Sequence, residues 1–280
     1  IKKMMKTIRF KSVLPVAVAL LASALTGCQS NGKPEILKPI ENNLVGSWEL
    51  TLSSQLDDQG NTLETIQPEG SSFIYRFKGD GKMVNVRTMP DGNQELRSYT
   101  WTANDEQNTY TLAGKPATLI TRLTADELEY RTDTMQLHDG KTVTPVPGIF
   151  FFRMKRVAEE TSPAERVVGK WVFKQTYEKV DGEWREKNYK FPWESWREFK
   201  DNGRVVGHQK QGDKASDYEV NWRINIRTDE LCMYEGERTI LTRMELADDN
   251  TMLLYYDKDY DAETGEVAVG EFKDVCIRVK

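Results

Sequence analysis

The sequence predicts an all-β protein built from two tandem, up-and-down antiparallel barrels. Turn signals recur about every ten residues, and pairs such as Asp91-Gly92 and Asn202-Gly203 favour the positive φ of tight hairpins. Between the turns, stretches such as 73–77 (FIYRF) alternate in the way typical of half-buried strands. No stretch after residue 28 has a long helical period. Roughly eight to ten short strands per copy would close a small barrel, which leaves no exposed sheet edge.

An internal repeat predicts two copies of this barrel. Four short landmarks recur in the same order, displaced by between 121 and 125 residues. The pairs are LVGSW (44–48) with VVGKW (167–171), FKGDGK (77–82) with FKDNGR (199–204), LITR (119–122) with ILTR (240–243), and RMK (153–155) with RVK (278–280). We therefore expect one barrel at 44–157 and another at 166–280, separated by a polar linker at 158–165 that contains Pro163.

The N-terminus has the layout of an export signal. Residues 1–12 carry five basic and no acidic side chains, and an apolar run follows from Val13 to Leu25. The run ends in Leu25-Thr26-Gly27-Cys28, which resembles the lipobox of bacterial lipoproteins. The resemblance implies a lipoprotein signal peptide at 1–27, acylation of Cys28 with fatty acids such as palmitate, and a lipid-anchored tether at 28–43. An uncleaved signal anchor or an ordinary buried cysteine is the alternative.

This resemblance implies a place in the cell envelope, with the membrane reached through the acyl anchor. Because Gln29 follows the cysteine where inner-membrane lipoproteins of the enteric type carry Asp, we expect the outer membrane, facing either the periplasm or the surface.

Composition argues against several functional classes. The chain has 39 basic and 44 acidic residues, and no basic cluster outside the N-terminus, so nucleic acid is not an expected partner. Two histidines and three cysteines offer little for a metal site, and no nucleophile elbow or phosphate loop is present. The spacing Asp257-x-Asp259-x-Asp261-x-Glu263 lacks the glycine of a calcium loop, which favours a solvated hairpin. We therefore expect no enzyme activity, no metal and no cofactor.

The motifs of each copy resemble those of the lipocalin-like (calycin) superfamily, and more narrowly the lipocalin-like domains of bacterial lipoproteins. These motifs are a Gly-x-Trp at the first strand, Phe-x-x-x-Gly hairpins and an arginine on the last strand. The resemblance implies that the tryptophan plugs the closed end of the barrel under this arginine. Trp48 would then pair with Arg153 or Arg156, and Trp171 with Arg278, as structural residues rather than ligand contacts.

The same resemblance implies a non-enzymatic carrier of a small apolar or amphipathic ligand inside a barrel. The expected ligand contacts are bulky residues of the predicted strands, namely Tyr75, Phe77, Tyr130, Trp196, Trp222 and Tyr255. For any single one of these residues, the ordinary interpretation is that it simply fills the core. A filled pair of barrels that engages a protein or polysaccharide through its loops is therefore the alternative function, with an enzyme as a weaker third.

The last strand raises two further questions. Its alternation places Cys276, Arg278 and Lys280 on one face, and the apolar residues between them on the other. Arg278 is therefore expected at the closed end or in solvent rather than on an internal carboxylate. Cys232 and Cys276 both belong to the second copy, where either a disulfide or two buried free thiols would be possible.

Overall fold

The computed structural model describes residues 35–66, 69–138, 143–189, 193–260 and 265–279, and these are strand apart from two one-turn helices and the connecting turns. The predicted all-β class and its antiparallel barrels are confirmed. The predicted signal peptide at 1–27 and the predicted lipidation site Cys28 lie outside the described residues. Neither described helix is long and apolar enough to cross a membrane.

Eight strands of the first copy close into an antiparallel ring in which each strand pairs with the next, and the last, β9 (Val143–Val157), returns to the first, β1 (Gly46–Leu56). The short strand β2 (Thr62–Thr65) lies outside the ring and pairs with the far end of β1. The strands are β1 (Gly46–Leu56), β2 (Thr62–Thr65), β3 (Ser72–Phe77), β4 (Lys82–Thr88), β5 (Asn93–Asn104), β6 (Thr109–Leu112), β7 (Ala117–Leu123), β8 (Glu127–His138) and β9 (Val143–Val157).

The second copy repeats this topology: its last strand returns to its first, and one short extra strand lies outside the ring. Its strands are β10 (Gly169–Val180), β11 (Glu183–Lys187), β12 (Trp193–Phe199), β13 (Arg204–Gln211), β14 (Lys214–Asn225), β15 (Glu230–Glu235), β16 (Arg238–Leu246), β17 (Thr251–Tyr260) and β18 (Val267–Val279). We call the two rings barrel 1 and barrel 2.

Each barrel is preceded by a one-turn helix that covers its closed end. Helix α1 (Ile40–Leu44) includes the last four residues of the predicted tether, and Ile40 and Leu44 at its two ends are fully buried against barrel 1. Glu35 and Leu37 also bond to the backbone of Leu123. From residue 35 onward, the predicted tether is therefore packed against the barrel, because its apolar residues have a core to join.

Helix α2 (Pro163–Val167) begins in the last three residues of the predicted linker, and its Ala164 and Val167 are likewise fully buried. Ser162 and Glu165 form a capping box: the Ser162 side chain accepts from the Glu165 amide, and the Glu165 carboxylate accepts from the Ser162 amide at 2.9 Å. The S-x-x-E spacing and Pro163 at the first turn were the sequence signal for this helix. Residues 158–165 connect β9 to β10 as predicted for a linker, and the structure adds that residues 163–165 are helical.

The closed end of barrel 2 packs on the outer wall of barrel 1. Val84, Val86 and Leu96 of barrel 1 share one buried cluster with Trp171 and Trp222 of barrel 2. Polar contacts also cross this boundary. Arg76, 5 % exposed, pairs with Glu165 at 3.0 Å, and the β5 and β14 strands exchange a short stretch of pairing. The barrels are thus joined through a shared apolar core, and the open end of barrel 2 points away from it.

Candidate ligand-binding site in the second barrel

Barrel 1 is plugged by Trp48 beneath an arginine. The indole Nε1 donates to the carbonyl of Leu44 in α1 at 2.8 Å, and the guanidinium carbon of Arg156 lies 4.1 Å from the ring centre. Arg156 also donates to the carbonyls of Val45 and Asn43, at 2.8 and 2.7 Å. This arginine therefore ties the helix to the barrel and covers the plug with a cation–π contact.

Barrel 2 has the same plug. Trp171 Nε1 donates to the carbonyl of Val167 in α2 at 2.8 Å, and Arg278 lies 4.2 Å from the ring centre. Gly169 must be glycine here: its φ is +132°, and a Cβ would lie 2.7 Å from the Arg278 guanidinium. The structure thus places Trp48, Trp171 and Arg278 at closed ends.

Of the two arginines expected to cover Trp48, Arg156 does so and Arg153 does not. Arg153 forms an ion pair with Glu129 at 2.7 Å on the outer surface of barrel 1, and Arg156 is the residue directly opposite Trp48. The expectation for Arg153 came from aligning the two Arg-x-Lys landmarks, whereas strand pairing makes Arg156 the counterpart of Arg278.

The interior of barrel 1 is occupied by aromatic side chains. Tyr75, Phe77 and Tyr130, proposed above as ligand contacts, belong to this packed cluster. Burial raises the pKa of Tyr110 and Tyr130, so the hydroxyls remain neutral. Successive ring contacts, with centroids 5.3, 5.5, 5.7 and 4.8 Å apart, run through Trp101, Phe77, Tyr110, Tyr130 and Phe152.

The interior of barrel 2 instead contains a cavity of about 310 Å³. One part of its wall is apolar and includes Leu231, Met233 and Leu254. The other part carries charged and hydroxyl groups, among them Arg197 and Asp274. This combination suits a small molecule with an apolar body and a polar end, and the volume is at the lower end of the range for ligand pockets.

The cavity arises because four ring-bearing positions of barrel 1 carry other residues in barrel 2. Strand pairing identifies the counterparts: Trp48 faces Tyr75 as Trp171 faces Arg197, and the other positions follow from the same registers. Smaller or more slender side chains at these positions leave the space that rings fill in barrel 1. The replacements are Tyr75 by Arg197, Tyr110 by Leu231, Tyr130 by Leu254 and Phe152 by Asp274.

Arg197 is held in place by Tyr218 across a glycine. Arg197 Nε donates to Tyr218 Oη at 2.8 Å, and Gly207 is paired with both residues on the strand between them. A Cβ at Gly207 would lie 2.2 Å from the Tyr218 ring, so the glycine provides the passage that lets this ring reach Arg197. Burial acts to lower the pKa of Arg197, but its interactions with Tyr218, Cys276 and Asp274 together raise the pKa above its ordinary value, so the guanidinium stays charged.

Two carboxylates also line the cavity. Asp274 Oδ1 accepts from Thr176 Oγ1 and Tyr256 Oη, both at 2.7 Å. Burial raises the pKa of Asp274 above its ordinary value. Asp259 accepts from Tyr189 at 2.7 Å and pairs with Lys187 at 2.6 Å. Asp259 was expected in a solvated hairpin, but it is instead turned toward the cavity and neutralised by a lysine.

Three other proposed ligand contacts lie away from this cavity. Trp196 is on the outer face, where it stacks on His208 with ring centres 6.1 Å apart. Tyr255 is also outside and donates to Glu245 at 2.8 Å. Trp222 is buried at the closed end. The side chains that do face the cavity are the immediate neighbours Arg197 and Tyr256, because alternate residues of a strand point to opposite faces.

The two cysteines of barrel 2 are free, so the disulfide alternative is wrong. Cys276 faces the interior near the plug, whereas Cys232 lies between the cavity-lining residues Leu231 and Met233 and so points outward. They are also three strands apart around the ring, beyond the reach of a disulfide. Among the described residues, no group of three or more His, Cys, Asp or Glu side chains could hold a metal ion.

Comparison with known proteins gives no family for this chain. No protein-family model matches the sequence, and no curated protein matches it. Among solved structures, a protein of unknown function from the DUF3598 family of Nostoc punctiforme is 11% identical, with 85% of this chain and 97% of that chain covered, at a TM-score of 0.26. A Nitrosomonas europaea protein provisionally assigned as AttH is 10% identical over 87% and 97%, at a TM-score of 0.20.

Proposed function

We propose that this chain is an envelope lipoprotein whose second barrel binds a small amphipathic molecule without transforming it. The observation that supports binding is the cavity of about 310 Å³ in barrel 2, with apolar side chains on one part of its wall and Arg197 and Asp274 on another. Barrel 1, with its interior occupied by rings, has a structural role in this proposal: it buries the closed end of barrel 2.

Native mass spectrometry of the purified chain tests binding without assuming a particular ligand. We expect a co-purified small molecule, or uptake of a fluorescent fatty acid in a one-to-one ratio, that competing amphiphiles displace. A matched control is Met233→Trp in the cavity wall against Tyr255→Trp on the outer face, since only the first takes up cavity space. Equal binding by both variants, or none by the unmodified chain, would refute the proposal.

The envelope location is proposed from the N-terminal sequence, and its anchor from Cys28. Labelled palmitate should be incorporated by the unmodified protein and not by Cys28→Ala, and this variant should leave the membrane fraction. A variant that stays membrane-bound would contradict the anchor while leaving the cavity proposal intact.

A further inference from the structure

The charged groups around the cavity of barrel 2 differ in how far the protein already satisfies them. Asp259 has Lys187 as its counter-ion, and Asp274 Oδ1 has two hydroxyl donors. Arg197 has Tyr218 Oη as an acceptor for Nε. A guanidinium carries five N–H groups, so this bond uses one of them.

Arg197 has no close counter-ion within the described part of the chain. No described carboxylate oxygen lies within 4.0 Å of its guanidinium, although Asp274 is near enough to contribute to its electrostatic environment. Arg197 is only partly exposed, and the N–H groups other than Nε–H make no hydrogen bond to the described part of the chain. A ligand oxyanion would supply the missing partner, because the planar fork of guanidinium matches a carboxylate with two parallel bonds.

The residues around Arg197 hold its guanidinium in a defined position in the cavity wall. The row Arg197, Gly207 and Tyr218 crosses three adjacent strands at one level, and each member depends on the next. Without a side chain at Gly207, the Tyr218 ring can lie flat across the strand and fix the guanidinium. Such fixing lowers the entropy lost when a ligand is bound.

We infer that Arg197, positioned by Tyr218 across Gly207, makes barrel 2 selective for amphipathic ligands that end in a carboxylate. The inference rests on the proposed function and specifies its ligand class. The apolar wall at Leu231 and Leu254 would take the hydrocarbon tail, and the guanidinium the headgroup. Asp274 would favour a cationic headgroup instead, but its Oδ1 is already satisfied by two donors, so the arginine is the stronger determinant.

Three ten-carbon probes with the same tail test this inference: decanoate, decanol and decylamine, titrated into the full chain at neutral pH. We expect decanoate to bind about tenfold more tightly than the other two, the factor that one charge-assisted hydrogen bond supplies. Arg197→Met should lose about that factor for decanoate and leave decanol nearly unchanged. Tyr218→Phe, which keeps the ring but removes the acceptor, should lose part of it.

The control is Arg153→Met, which removes an exposed arginine of barrel 1 and should change none of the three affinities. Decanoate and decanol binding equally well to the unmodified chain, or an unchanged preference in a folded Arg197→Met, would overturn the inference while leaving the proposed function standing. A preference for decylamine would assign the headgroup to Asp274 and overturn it too. Failure of all three probes to bind would refute the proposed function and the inference together.

Discussion

The two barrels have matching closed ends and different interiors. At the closed ends, Trp48 and Trp171 donate to a helix carbonyl at the same distance, 2.8 Å, and an arginine covers each. Further inside, barrel 1 carries a connected series of rings and barrel 2 a cavity. The structure of the closed end is therefore independent of what fills the interior. Both barrels have the same tryptophan and arginine at the closed end, whereas a few inward side chains decide whether the interior is filled or holds a cavity.

The largest effect should come from removing either plug. Trp48→Ala and Trp171→Ala each delete a fully buried indole and its hydrogen bond to the preceding helix. Each should lower the free energy of unfolding by about 3–5 kcal/mol, measured by urea denaturation. If either variant lowered the free energy of unfolding by less than about 1 kcal/mol, the two closed ends would not be equivalent.

Replacing interior rings of barrel 1 by the residues at the equivalent positions of barrel 2 should lower the free energy of unfolding by less than loss of a plug does. Tyr110→Leu and Tyr130→Leu remove rings that contact one another at 5.7 Å, and each should lower the free energy of unfolding by about 2 kcal/mol through the cavity that it leaves. Tyr255→Leu on the outer face serves as the control, within about 0.5 kcal/mol of the unmodified chain. Equal costs at all three positions would mean that the rings do not form a packed interior.

Substituting the two arginines of β9, Arg153 and Arg156, should affect stability to different extents. Arg156→Met loses the cation–π contact and hydrogen bonds to carbonyls near α1, so it should cost about 1–3 kcal/mol in thermal or urea unfolding. Arg153→Met loses an exposed ion pair and should stay within about 0.5 kcal/mol. The reverse order would restore Arg153 as the partner of Trp48.

The smallest expected effect is a pH dependence of stability that comes from Asp274 in barrel 2. Burial raises the pKa of Asp274 above 3.8, so the folded state binds its proton more tightly than the unfolded state does. This carboxyl therefore lowers stability at pH values above its folded pKa, and the penalty fades as the pH falls toward 3.8. Asp274→Asn should melt above the unmodified chain at pH 8, with the difference shrinking toward pH 4.

Asp248 provides a control of opposite sign. Backbone hydrogen bonding from Asn250 lowers the pKa of this exposed carboxyl, so it stabilises the fold above pH 3.8 and loses that contribution as the pH falls. Asp248→Asn should therefore melt slightly below the unmodified chain at pH 8. A pH-independent difference for Asp274→Asn, or one of the same sign as for Asp248→Asn, would contradict the burial of Asp274.

The repeat and the alternation of apolar residues were sufficient to predict two antiparallel barrels, because register and closure follow from local patterns that the chain carries twice. The inside of barrel 2 could not be predicted in the same way. Ordinary burial preference favours Trp196 over Arg197 as the inward residue, whereas the structure turns Arg197 inward. Tyr255 and Tyr256 are the same residue type, so burial preference could not choose between them. An inward charge of this kind is a departure from ordinary patterning that functional sites often show.

One signal for Arg197 was present in the sequence. Aligning Phe77 with Phe199 also aligns Tyr75 with Arg197, which marks a charge at a position that is inward in the other copy. The correct arginine over Trp48 was not accessible by this route. The Arg-x-Lys landmarks are offset by three residues from the true pairing, and β1 contains a bulge between Leu50 and Leu52 that sequence patterns do not locate.

Filling the cavity with the side chains of barrel 1 tests the central claim most directly. The double variant Leu231→Tyr/Leu254→Tyr introduces the tyrosines found at the equivalent positions, and decanol binding is then measured by isothermal titration calorimetry. We predict that binding falls at least about tenfold, the loss of roughly 1.4 kcal/mol of apolar contact, while the melting temperature is unchanged or higher. A folded double variant that binds decanol as well as the unmodified chain would contradict the account.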